Sequence, residues 1–177
     1  MMRKLIPHLA IPLLLLSGCA SEIYKESMDA GTKALQEEDY IEAAAEFKKA
    51  LQEKPRDPDA QAALEEAEIK GLITYAEELD AEYEGVLSLS ADWDALREAS
   101  NTGSITDAGF AEEIEKEILP VSQTIIEAMD AIEAPENAAY IHQKIKDALH
   151  IQETAFNEVM AALREGSYSK AADANVL

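Results

Sequence analysis

The chain has 177 residues, of which 36 are acidic and 15 are basic, so its formal net charge is −21. Such an acidic protein is repelled by nucleic acid and by anionic lipid head groups, which excludes nucleic acid as an expected partner. A hydrophobic fraction of 47% excludes a disordered chain, and a single cysteine excludes an internal disulfide, so a hydrophobic core must stabilise the fold.

A basic pair and an apolar run open the chain. Arg3 and Lys4 precede a mostly aliphatic stretch of about a dozen residues, Leu5 to Leu16, which is too short to span a bilayer comfortably. The run ends in Leu16-Ser17-Gly18-Cys19. This tetrapeptide resembles the lipobox of bacterial lipoproteins. The alternative interpretations are a plain secretory signal and a transmembrane helix, and neither requires a cysteine at this position.

The lipoprotein resemblance implies a covalent membrane anchor at Cys19. In that family the thiol is diacylglycerylated and the signal peptide, here residues 1–18, is removed, so residues 19–23 would form the lipidated N-terminus. Two or more acyl chains, palmitate among them, hold a protein firmly at a membrane, whereas one chain binds marginally. The predicted location is therefore the cell envelope. Ala20 implies the periplasmic face of the outer membrane if the source is diderm.

Residues 24–88 are predicted to form a helical hairpin capped by a long helix. Glycine and proline are few, and no strand-like alternation occurs, so the predicted fold class is all-α. Within residues 24–57, small, aromatic and proline residues follow the frame G-x8-Y-x2-A-x3-F-x2-A-x4-P, formed by Gly31, Tyr40, Ala43, Phe47, Ala50 and Pro55. This frame resembles one tetratricopeptide repeat, a helical hairpin of about 34 residues.

The repeat resemblance assigns a packing role to each residue of the frame. It implies that Gly31 and Ala43 are small where the two helices approach, and that Tyr40 and Phe47 fill the space toward the next hairpin. It also implies that Pro55 ends the second helix. The turn between the helices is predicted at Glu38-Asp39. Two positions depart from the family pattern, since Ala34 stands where an aromatic is preferred and Met28 stands in place of a tryptophan.

The next 34 residues do not repeat the frame, and Asp59 to about Leu87 predicts one long helix. A single repeat cannot bury its own inner face, so this helix is expected to pack on the hairpin as a cap. Residues 89–104 are predicted to hold a short helix from Asp92 to Ala99, followed by a loop.

Residues 105–165 predict a pair of antiparallel helices. The apolar stripe of the first is Phe110, Ile114, Ile118, Val121, Ile125, Ala128 and Ile132. Pro120 should kink or split this helix near Leu119. The second helix should run from about Glu136 to Arg164, with Gly166 as its cap. Its expected buried face is Ile141, Ile145, Ala148, Ala155, Phe156, Val159 and Leu163. Residues 166–177 form a tail.

No arrangement of residues predicts catalysis, so we expect no enzyme and no cofactor. Asp147, His150 and Glu153 lie along one side of the last helix and are candidate metal ligands, but a second motif of this type is lacking. A solvated polar face is therefore the favoured interpretation, and no metal is expected. Trp93 and the tyrosines are expected to be core residues, or else to line a ligand pocket.

The expected function is a membrane-anchored envelope lipoprotein that acts as a protein–protein interaction or assembly module without catalysis. Its expected partners are the membrane, through the lipid, and an envelope protein. The alternative is a ligand- or cation-binding helical bundle carried by the same anchor.

Overall fold

The computed structural model describes residues 16–166, with side chains from residue 22 onward. Every regular element in this range is helical, which confirms the all-α class: α1 (Leu16–Gln36), α2 (Tyr40–Glu53), α3 (Pro58–Asn101), α4 (Asp107–Glu113), a π-helical segment (Ile114–Ile118), α5 (Leu119–Ala131) and α6 (Ala139–Arg164). The predictions for residues 1–15, for residues 167–177 and for the Cys19 side chain fall outside the described residues.

The chain divides into two compact units, Met1–Gly71 and Leu72–Leu177. Unit 1 holds α1, α2 and the beginning of α3, and unit 2 holds the remaining elements. The predicted helix break after Leu87 is wrong, because α3 continues without interruption to Asn101. No proline lies in this part of α3, and Leu89 is buried in the core of unit 2, so the helix continues past Leu87.

In unit 1, α1 and α2 form a hairpin with the predicted turn at Glu38-Asp39. Glu38 has a positive φ of 63°, and the Asp39 side chain accepts a hydrogen bond of 3.1 Å from the backbone N–H of Glu42. The turn thus reverses the chain at a left-handed residue, and Asp39 caps the helix that follows.

The hairpin is packed around a phenylalanine seated on a glycine. Phe47 is only 1% exposed, and a Cβ atom built on Gly31 would lie 2.7 Å from Cε1 of the Phe47 ring. The missing side chain therefore provides the room for the ring. Phe47 clusters with Ala43 of the hairpin and Ala67 of α3, as expected for a capping helix packed on the hairpin.

The start of α3 is fixed by Asp57. Its side chain accepts hydrogen bonds from the backbone N–H groups of Asp59 at 3.2 Å and Ala60 at 3.1 Å. The bond from Ala60, supported by one from the Tyr24 hydroxyl, holds the pKa of Asp57 below its ordinary value. Pro58 occupies the first turn, where its missing N–H costs no helical hydrogen bond.

In unit 2, the predicted disruption before Pro120 is present as a π-helical segment. The backbone N–H of Leu119 donates to the carbonyl of Ile114, five residues earlier, and α5 begins at that leucine. Proline lacks an N–H and clashes with the carbonyl four residues before it, so a wider turn accommodates Pro120 without ending the helix.

The wider turn shifts the buried face by one position. Phe110, Ile114 and Ile118 are buried as predicted, but Val121 is 41% exposed and its neighbour Ser122 is buried instead. Further along α5, Ile125 is buried as predicted. Met129 is fully buried, whereas Ala128, which was expected to be buried, is only half-buried.

Helices α5 and α6 are antiparallel, as the short junction at Pro135 predicts. Lys146 of α6 pairs with Asp130 of α5 at 2.6 Å, and Arg164, at the far end of α6, pairs with Glu115 of the π-helical segment at 2.6 Å. Gly166 follows α6 with a positive φ of 66°, as expected for a helix-ending glycine.

Two details of α6 differ from the prediction. It begins at Ala139 rather than Glu136, because residues 135–138 form a turn closed by a bond from the Ala138 N–H to the Pro135 carbonyl at 2.8 Å. Ile141 is 56% exposed, and His142 faces the interior in its place.

Candidate functional site

The main cavity among the described residues of unit 2 is an open apolar groove between α3 and α6. It has a volume of about 910 Å³, and Met129 of α5 contributes to its floor. One wall is an apolar row on α3, formed by Ala76, Leu79, Tyr83, Val86 and Trp93. These residues recur at mostly helical spacing, so they share one face of the helix.

The second wall belongs to α6. It is formed by apolar side chains with the same periodicity: Ile145, Ala148, Leu149, Ala155, Phe156 and Val159. The helices run side by side in the same direction, because Tyr75 contacts His142 toward one end and Trp93 contacts Phe156 toward the other. The groove is therefore a channel between two parallel apolar stripes.

Trp93 joins the groove to the core of unit 2. Its ring centroid lies 4.7 Å from that of Phe156 and 5.7 Å from that of Phe110, and its side chain is half-buried. Trp93 therefore packs on the core, as expected, and also lines the groove.

A buried polar pair lies beyond the Ile145 end of the groove. The Tyr75 hydroxyl and Nδ1 of His142 are 3.2 Å apart, and their rings meet edge to face at 5.7 Å. Burial raises the pKa of Tyr75, so this hydroxyl stays protonated at neutral pH. The pair explains why His142 faces inward, since its Nδ1 atom and the Tyr75 hydroxyl are partners there.

Exposed side chains border the groove and differ in polarity. Tyr83 is 56% exposed although it lines the wall, and Ile151, another lining residue, is also exposed. Asp80 and Arg97 are charged lining residues, and the Arg97 guanidinium lies 3.6 Å from the Asp94 carboxylate. The groove thus combines uncovered apolar surface with a few charged groups.

The three candidate metal ligands are not brought together around one point. Asp147 accepts a hydrogen bond of 2.9 Å from the Gln143 amide and pairs with Lys144 at 3.4 Å, and the Gln143 bond holds its pKa below the ordinary value. Nδ1 of His150 lies 3.9 Å from a Glu153 oxygen. Within residues 22–166 no group of three or more potential ligands is arranged to hold a metal ion.

The residues of the repeat frame lie in unit 1. Gly31, Ala43, Phe47 and Ala50 are buried, Tyr40 is half-buried, and the exposed Pro55 follows the cap of α2. The Lys70 ammonium lies 5.9 Å from the centre of the Tyr40 ring. All these positions serve packing.

Sequence reasoning identified most groove-lining apolar residues but assigned them to the core. Leu79, Tyr83 and Val86 are apolar residues of the long helix predicted from Asp59 to about Leu87, and Ala148 and Ala155 belong to the expected buried face of the last helix. The available signal was the width of these stripes together with the apolar Ile151 beside them, since one packing partner covers only part of a wide stripe.

Within the described part of the chain, no helix combines the length and apolarity needed to cross a bilayer.

Comparisons with protein-family models, with curated proteins and with solved structures found no match to this chain.

Proposed function

We propose that this chain is a lipid-anchored protein of the cell envelope, tethered through Cys19, and that it acts as a protein-interaction module without catalysis. The observation that carries the interaction role is the apolar groove between α3 and α6. An apolar groove bordered by a few charged side chains is a common form of binding site. Tyr83, Ala148 and Ile151 of the lining are exposed, so a segment of another protein can reach the groove.

The anchor is supported by the sequence Leu16-Ser17-Gly18-Cys19 after an apolar run. Replacing the thiol in Cys19→Ser should abolish incorporation of labelled fatty acid and move the protein out of the membrane fraction or leave it uncut. A Ser17→Ala variant, which keeps a small residue before the cysteine, should be acylated normally. Unchanged acylation in Cys19→Ser would contradict the anchor.

The repeat-like character of the hairpin is part of the same proposal. It is supported by the close approach at Gly31 and by the complete burial of Ala43 and Ala50. In this proposal the hairpin follows the anchored N-terminus, while the binding surface belongs to unit 2.

A peptide titration tests the interaction role. The full chain has a single tryptophan, Trp93, and it lines the groove, so its fluorescence reports on occupancy. An uncharged helical peptide of Leu, Ala and Gln, with Leu at every third or fourth position, should shift the emission to shorter wavelength. A peptide with the same composition but scrambled Leu positions should not, and equal shifts from both would contradict the proposal.

Two variants on α6 localise the effect. Ala148→Arg places a charged side chain in the groove and should abolish the shift, whereas Ala161→Arg should not. Both alanines are exposed on α6, but only Ala148 lines the groove.

A small apolar molecule is a second candidate occupant. A volume of about 910 Å³ lies within the range of ligand pockets, roughly 300–1,000 Å³, and the lining is predominantly apolar. A neutral apolar dye that shifts Trp93 emission while the helical peptides do not would favour this alternative.

A further inference from the structure

We propose that the groove receives a basic amphipathic helix of a partner protein. This inference rests on the proposed function and adds the chemistry of the occupant. Its basis is the distribution of charge along the two walls, together with their helical periodicity.

The stretch of α3 that carries the apolar wall is rich in acidic residues. Between Lys70 and Arg97 the chain has seven acidic residues and no basic one. Asp80 lies in the groove lining, and Glu77 and Glu84 are exposed on the same stretch. A partner approaching this wall therefore meets apolar side chains bordered by carboxylates.

The α6 wall has the same character. Between Lys146 and Arg164 there are three acidic residues and no lysine or arginine. The cations nearest the walls are already engaged, since Lys146 pairs with Asp130 at 2.6 Å and Arg97 lies 3.6 Å from an Asp94 oxygen. The field around the groove is therefore negative, which attracts a basic ligand and accelerates its association.

This charge argues against two other occupants. A second copy of the chain carries the same net charge of −21, so it would be repelled. An anionic lipid head group would be repelled for the same reason. A basic segment of another protein is the occupant that complements both the apolar lining and its acidic border.

The geometry of the walls favours a helix over an extended segment. Both stripes are helix faces, and a third helix can place its own apolar ridge between them by ridges-into-grooves packing. From Ile145 to Val159 the α6 wall is about 21 Å long at roughly 1.5 Å per residue, so about four helical turns would fill it. Basic residues on the flanks of that helix would face the carboxylates.

Three peptides of one design test the inference. Each has about 18 residues with the same apolar stripe, and the remaining positions are lysine, glutamine or glutamate, respectively. The full chain is titrated with each, and Trp93 fluorescence gives the dissociation constant. We expect the lysine peptide to bind at least tenfold more tightly than the glutamine peptide, and this advantage to shrink in about 0.5 M salt because exposed charges are screened.

A charge-neutralising variant gives the matched control. Asp80→Asn should weaken binding of the lysine peptide about two- to fivefold, as expected for an exposed ion pair, and leave the glutamine peptide unaffected. Asp29→Asn, an exposed change on α1 in unit 1, should alter neither.

The outcomes separate this inference from the proposed function. Equal binding of all three peptides, or preference for the glutamate peptide, would overturn the basic occupant while leaving the groove an interaction site. Binding of none of the three would overturn both proposals.

Discussion

Two glycines in helices show how single atoms determine the packing. At Gly31, a Cβ atom would lie 2.7 Å from Cε1 of Phe47, whose ring is buried in the core of the hairpin. At Gly85, in the middle of α3, the nearest atom to a Cβ would be Cγ1 of Ile125 at 3.5 Å, an ordinary contact. The same substitution should therefore have opposite effects at the two positions.

We expect Gly31→Ala to destabilise the protein by about 1–2 kcal/mol, because overpacking outweighs the gain in helix propensity. Gly85→Ala should stabilise it by about 0.5–1 kcal/mol, since only the propensity gain applies. Chemical denaturation of the two variants measures both changes. Stabilisation by Gly31→Ala would contradict the packing of Phe47 on this glycine.

A second residue-scale prediction concerns the cap of α3. The pKa of Asp57 is lowered in the folded protein, so its stabilising contribution is present above the ordinary aspartate pKa of about 4 and is lost as the pH falls through the folded value. Asp57→Ala should therefore lower the melting temperature at pH 7, and the difference from the unmodified protein should shrink below about pH 4. A difference that grows on acidification would contradict the cap.

At the scale of the element, the sequence predicts apolar faces well until the backbone departs from the regular α-helix. The stripe through Phe110, Ile114 and Ile118 is buried as predicted, and the error begins after the bond from the Leu119 N–H to the Ile114 carbonyl. Pro120 indicated that a disruption must occur. The proline did not indicate that a wider turn would accommodate this disruption. That turn moves later residues by one position.

This register shift can be measured by truncation. Met129→Ala should cost about 2–5 kcal/mol, because the side chain is buried in the core of unit 2. Val121→Ala should cost less than about 0.5 kcal/mol, because Val121 is exposed. Equal or reversed free energies of unfolding would contradict the burial of Met129 and the exposure of Val121.

The error at Ile141 has a different origin. Apolar periodicity favours Ile141 as the inward residue, but His142 is buried because the Tyr75 hydroxyl lies 3.2 Å from its Nδ1 atom. That partner is 67 residues away along the chain, so no local pattern reveals it. Long-range polar pairs of this kind, and the spacing between helices that creates a groove, depend on tertiary packing.

For the whole molecule, the sequence indicated the helical class, the paired helices of unit 2 and the acidic character, and the acidic character enters the functional argument directly. The groove itself could not be foreseen, since the same apolar stripe predicts either a closed core or an open channel. Whether it is open depends on how far apart α3 and α6 lie, and this depends on tertiary contacts such as those of Trp93 with Phe110 and Phe156.

The central claim, that a basic amphipathic segment occupies the groove, is tested most directly by photocrosslinking in intact cells. A photoreactive phenylalanine analogue replaces Tyr83, which lines the groove, or Tyr140, an exposed tyrosine outside the groove lining. The aromatic shape is preserved in both cases, so folding should be unaffected. Mass spectrometry then identifies the peptide attached at each position.

We predict that the analogue at position 83 forms a discrete adduct and that this adduct is not formed by the analogue at position 140. The attached peptide should be rich in lysine and arginine, with apolar residues at every third or fourth position. The same adducts from both positions, or an acidic peptide without such a stripe attached at position 83, would contradict the account.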